Sequence, residues 1–134
     1  MRVEIQWVLL AKKCLFNEDK TLDIEKIMQK MEFDGIPYVG SLKIIIKSQT
    51  SPTEVGEKKI ITLKIHHQSD GEVLVTDMPY EIPDLFMWAK YSPYITIDLS
   101  DFIFPKTGEY CLDFYIDGEL KNSEWLTIVD HRTK

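Results

Sequence analysis

The chain has 134 residues, of which 44% are hydrophobic, 28% charged and 11% aromatic, with six Gly and six Pro. That composition excludes a disordered chain, and no apolar run nears the ~18 residues a membrane-spanning helix needs. The net charge of −6 is unevenly spread, with ten bases against nine acids in residues 1–60 and six against thirteen in residues 61–134, a balance that excludes a phosphate-tracking surface built on clustered Lys and Arg.

The dominant period along the chain is two. Val3, Ile5, Trp7, Leu9 and Ala11 alternate with Glu4, Gln6, Val8, Leu10 and Lys12, which predicts a long first strand. Asn17-Glu18-Asp19-Lys20 then supplies a polar turn. Residues 23–32 carry two signals. Ile24, Ile27, Met28 and Met31 form a helical stripe. The preceding turn, however, favours a strand returning along the first, and strand is the reading adopted. Leu42–Lys47 and Lys59–Ile65 are rich in β-branched residues, separated by a loop over 51–57. Asp70-Gly71 marks a hairpin into Val73–Thr76. Tyr94–Leu99 alternates again. Tyr110, Leu112, Phe114 and Ile116 share one strand face, with Cys111, Asp113 and Tyr115 on the other. Asp117-Gly118 turns that strand into Trp125–Val129. Seven or eight short strands with at most one or two short helices predict an all-β antiparallel sandwich. One domain is expected over residues 1–130, with 131–134 a polar C-terminal tail. The expected core is Val3, Ile5, Trp7, Ile44, Ile46, Ile61, Leu63, Ile97, Tyr110, Leu112, Phe114 and Ile128.

Two stretches carry a resemblance. Asp19–Ile24 with Phe33-Asp34-Gly35-Ile36-Pro37, and Phe104-Pro105-Lys106-Thr107-Gly108-Glu109-Tyr110 followed by Phe114-Tyr115-Ile116-Asp117-Gly118, resemble an uncharacterised bacterial family of small immunoglobulin-like β-sandwich proteins, a domain of unknown function. They cover about a third of the chain. The resemblance implies a fold and brings no activity. Leu112 stands two residues after Tyr110, where immunoglobulin domains place a cysteine, so their inter-sheet disulfide is not expected.

No phosphate loop, dinucleotide fingerprint, nucleophile elbow or His-Glu-x-x-His motif occurs. His66 and His67 are adjacent, point to opposite strand faces and cannot share a metal, and no spacing links Cys14 or Cys111 to a histidine. The carboxylate pairs Asp98 with Asp101 and Asp113 with Asp117 read as solvated faces. No catalytic residue, metal or cofactor is therefore expected. With no signal peptide visible, the expected compartment is cytoplasmic and both cysteines are expected to be free thiols. The acidic half reads as a solubility device or as a face for a basic protein partner.

The informative stretch is residues 85–94, which holds Phe86, Met87, Trp88 and Tyr91 between two strands. It reads either as a lid on the core or as an exposed aromatic platform, since Trp, Tyr, Phe and Met are enriched in interface cores. The expected function is a non-catalytic interaction module that binds a protein partner or itself, as a homodimer, through those four residues. The alternative is a sugar-binding sandwich that stacks Tyr80, Trp88 and Tyr91 on sugar rings. Neither nucleic acid nor membrane is an expected partner.

Overall fold

A computed structural model describes residues 4–17, 22–49, 58–69, 71–81 and 94–132. Nine strands account for most of them: β1 (Glu4–Phe16), β2 (Leu22–Ile27), β3 (Lys30–Phe33), β4 (Tyr38–Gln49), β5 (Lys58–His67), β6 (Gly71–Glu81), β7 (Tyr94–Phe104), β8 (Gly108–Ile116) and β9 (Glu119–Asp130). No helix occurs among the described residues, so none is long and apolar enough to cross a membrane. The strands form two sheets, ordered β2-β1-β4-β7 and β3-β9-β8-β5-β6. Every pairing is antiparallel except β3 with β9.

The ninth strand comes from the ambiguous segment. Residues 23–32 contain no helix; they divide into β2, which pairs with β1, and β3, which crosses to the other sheet and runs parallel to β9. Lys26 at φ 54° adopts a left-handed conformation that a right-handed helix forbids. The apparent helical stripe is thereby split. Ile27 is left exposed, whereas Met28 and Met31 pack against the core from the crossing.

The core lies between the sheets. Val8, Leu10, Leu42, Ile44, Ile46, Ile95 and Phe104 from the first meet Ile61, Leu63, Ile65, Tyr110, Leu112, Phe114, Leu126 and Ile128 from the second. Eight of the expected core residues are buried there, and Ile97 packs against them partly buried. The N-terminal strand departs from expectation. Its register shifts between Ile5 and Trp7. A bulge of one residue exchanges the faces of everything beyond it. Ile5 still packs inward, but Val8 and Leu10 stand in the core in place of Trp7. Val3 lies outside the described residues.

One end of the core is fastened by a polar corner. Gly108 opens β8 at φ 123°, where a Cβ would sit 2.6 Å from His67 Nε2, so no other residue fits without displacing that ring. Tyr110 Oη donates to the Lys106 carbonyl at 2.6 Å and accepts from the Lys106 amide at 3.2 Å. This is the tyrosine corner known from β-sandwiches. His67 Nε2 donates to the Thr107 carbonyl at 2.9 Å, and its Nδ1 accepts from the Ser69 amide at 3.1 Å. The His67 and Phe104 rings stand nearly perpendicular to Tyr110, with 4.9 and 5.3 Å between centroids.

Candidate functional site

The strand alternation that buries Ile65, Leu112 and Leu126 turns their neighbours onto the outer face of the five-stranded sheet. Register then places these neighbours in rows. His66, Cys111 and Trp125 stand side by side, as do Lys64, Asp113 and Ser123 in the next row and Glu109 and Thr127 on the other flank. The sheet thus brings residues of β5 to those of the β8–β9 hairpin, far off in sequence.

Asp113 is the hub. Its Oδ1 accepts from the Ser123 hydroxyl at 2.6 Å and the Cys111 thiol at 3.1 Å, while its Oδ2 accepts from His66 Nε2 at 3.0 Å. Burial opposes ionisation of the carboxyl, but the hydrogen bonds from Ser123, Cys111 and His66 outweigh it and hold Asp113 below the usual carboxylate range. The Cys111 thiol is pushed up to about 11, first by burial and then by the hydrogen bond to Asp113 and that group's charge. In a cysteine nucleophile the imidazole takes the thiol proton; here the carboxylate stands between thiol and imidazole and holds the proton on sulfur. A thiol of this kind is inert toward electrophiles at neutral pH. His66, Cys111 and Asp113 do each present one metal-ligating atom, all within 4.8 Å of one another.

Beside this cluster Trp125 is 51% exposed. It borders a groove of about 370 Å³ lined also by Gln29, Glu109, Glu124 and Thr127. Thr127 Oγ1 donates to Glu109 at 2.9 Å, and burial raises the Glu124 carboxyl above its ordinary range. On the far side of the cluster the Lys64 ammonium lies 4.9 Å from the centre of the Tyr115 ring, a cation–π contact.

Sequence reasoning placed His66 and His67 on opposite faces, and the structure does the same. It did not bring His66 to Cys111, because strand pairing joins residues 45 positions apart and leaves no spacing signature. The alternation of Cys111 and Asp113 on the polar face of β8 was the available signal. Asp113 is a correction to the solvated-face reading: its side chain is only 16% exposed. Its supposed companion Asp117 sits in the turn after β8, where it accepts the Ile60 amide and pairs with Lys59. Asp98 pairs with Lys43. Cys14 and Cys111 are free thiols in different sheets. Phe86, Met87, Trp88 and Tyr91 lie outside the described residues, and Tyr80 stands on β6 opposite Lys59.

No protein-family model and no curated protein matches the sequence. Solved structures do. The chain is similar in fold to the alkylpurine DNA glycosylase AlkC of Pseudomonas fluorescens, solved bound to DNA containing an abasic site analogue. The TM-score is 0.51 at 11% identity, over 95% of this chain and 30% of the glycosylase. A β-glucosidase from Listeria innocua gives a TM-score of 0.46 at 6% identity, over 96% of this chain and 16% of that one. The first likeness is one of fold alone. The chain spans less than a third of the glycosylase and about a sixth of the glucosidase.

Proposed function

We propose that the chain is a non-catalytic, immunoglobulin-like β-sandwich interaction module that binds a protein partner or a second copy of itself. The observation that carries this reading is Trp125, a large apolar side chain held half in water on a broad, ordered sheet face. Leaving half of a tryptophan exposed forfeits roughly 2–3 kcal/mol of burial, and tryptophan is the residue most enriched at binding hot spots. The segment 85–94, with Phe86, Met87, Trp88 and Tyr91, is assigned the same role on its sequence. The tyrosine corner at Tyr110 supports the immunoglobulin-like reading. Two free thiols support a reducing, cytoplasmic compartment. The acidic balance of residues 61–134 argues against DNA as a partner, whatever the glycosylase binds.

Analytical ultracentrifugation of the full chain, Trp125→Ala and Trp88→Ala tests the proposal. A wild-type dimer that either substitution dissociates, at little loss of monomer stability, supports it. Self-association that neither substitution weakens overturns it.

A second reading, sugar binding, is favoured by one observation. The groove sets an exposed tryptophan beside two carboxylates, an amide and a hydroxyl, the chemistry that stacks on a sugar ring and bonds its hydroxyls. A glycan array on which the wild type binds and Trp125→Ala does not would establish this reading in place of the first.

A further inference from the structure

We propose that His66, Cys111 and Asp113 form a binding site for a thiophilic divalent cation, with zinc the best match. The inference goes beyond the interaction reading and does not depend on it. It rests on three facts of geometry. The first is donor chemistry: one imidazole nitrogen, one sulfur and one carboxylate oxygen converge, and this mixed set suits zinc far better than magnesium or calcium, which take oxygen ligands.

The second is spacing. A tetrahedral ion with bonds of about 2.0 Å to nitrogen and oxygen and 2.3 Å to sulfur holds its ligand atoms about 3.3–3.5 Å apart. Here His66 Nε2 and Asp113 Oδ2 are 3.0 Å apart, Cys111 Sγ and Asp113 Oδ1 are 3.1 Å apart, and all three ligand groups fit within 4.8 Å. Those two contacts reach different oxygens of Asp113, so shifts of up to about an ångström, within the reach of χ rotations, widen the short edge of the triangle and close the longest, at most 4.8 Å, to the size of the ion. The backbone need not move, because register already fixes His66 opposite Cys111.

The third is support and access. The Ser123 hydroxyl, 2.6 Å from Asp113, holds the carboxylate in orientation, as the outer partners of metal ligands do. The His66 side chain is 34% exposed, so an ion reaches the site from solvent, while Cys111 at 5% seals the inner side. Three protein ligands leave the fourth position to water or to a donor atom of a partner.

Binding has a defined proton balance. The Cys111 thiol proton leaves to solvent as sulfur bonds the ion, and His66 gives up its Nε2 proton by changing to the Nδ1–H tautomer. Isothermal titration of the untagged full chain with zinc, and optical titration with cobalt, test the site. The expected results are one ion per chain, a sulfur-to-cobalt charge-transfer band in the near ultraviolet, and affinity lowered at least 100-fold by Cys111→Ser and by His66→Gln. Cys14→Ser keeps both band and affinity. His66→Gln changes a residue one-third exposed and remains informative should Cys111→Ser fail to fold. A cobalt spectrum without a sulfur band, zinc affinity unchanged in His66→Gln, or no uptake at tenfold excess of zinc overturns the proposal.

Discussion

His66 and His67 are consecutive, yet they belong to two regions with opposite characters. His67 is buried in a corner where its two shortest hydrogen bonds go to backbone, the Thr107 carbonyl and the Ser69 amide, with the Ser69 hydroxyl and the Tyr110 ring beside it. His66 faces outward into a cluster where the partners of Asp113 are all side chains: an imidazole, a thiol and a hydroxyl. The Thr107 and Ser69 backbone groups lie within two residues of the ends of β8 and β5, so the chain path sets their positions and no side-chain torsion moves them. Side chains rotate about χ bonds, and only about 10–15% of protein hydrogen bonds join two of them. A cluster built entirely of such bonds, reached from water through His66, can be rearranged by a ligand without disturbing the fold. Enclosure with backbone partners marks structure; a side-chain hub at the surface marks a place where chemistry is available.

That contrast breaks most visibly at the corner. Phe104→Ala removes a fully buried ring that packs against Tyr110 and Phe102. The expected loss is about 3–5 kcal/mol in urea unfolding; a loss below about 1 kcal/mol would show the corner to be soft. Tyr110→Phe keeps the ring and deletes its bond to the Lys106 carbonyl. It is expected to cost about 1–3 kcal/mol, read as a lower midpoint with an unchanged m-value.

The outer cluster responds to pH instead. Asp113 titrates below its ordinary value of 3.8 in the folded chain. Its contribution is therefore complete above that pH and is lost as pH falls through the folded value. Asp113→Asn is expected to lower stability at pH 7 and to flatten the acid limb of the pH–stability curve. Cys111 has the opposite sign. Raised from 9.0 to about 11, its contribution is whole below pH 9 and lost as pH climbs toward 11. Cys111→Ser should flatten the alkaline limb, and an unchanged limb would mean that the thiol is not held protonated.

Smallest of all is Trp125→Ala. With half of the ring already in water, truncation gives up at most the contacts of the buried half, so monomer stability is expected to fall by no more than about 2 kcal/mol. A larger drop would place Trp125 with the corner and not with the binding face.

Alternation made most of the sandwich legible. Tyr110, Leu112 and Phe114 are read correctly because period two and burial coincide on one inner face. Trp7 is misplaced because a bulge leaves no mark in the sequence. The crossing at Met28 imitates a helix because two sheets share the side chains of one short segment. The candidate site was illegible for a different reason. His66, Cys111 and Ser123 become neighbours through pairing alone, and pairing partners are not written in local composition.

The parallel pairing of β3 with β9 has a consequence for biosynthesis. Lys30 to Phe33 meet Thr127 to Asp130, so a strand made early in translation waits for the last one. The same β9 covers the edge of β8. Until it leaves the ribosome, the nascent chain carries two uncovered strand edges, the kind of surface that recruits other chains. The sandwich cannot close from β1 forward; it closes as a loop, with the twelve residues of β9 as the latch.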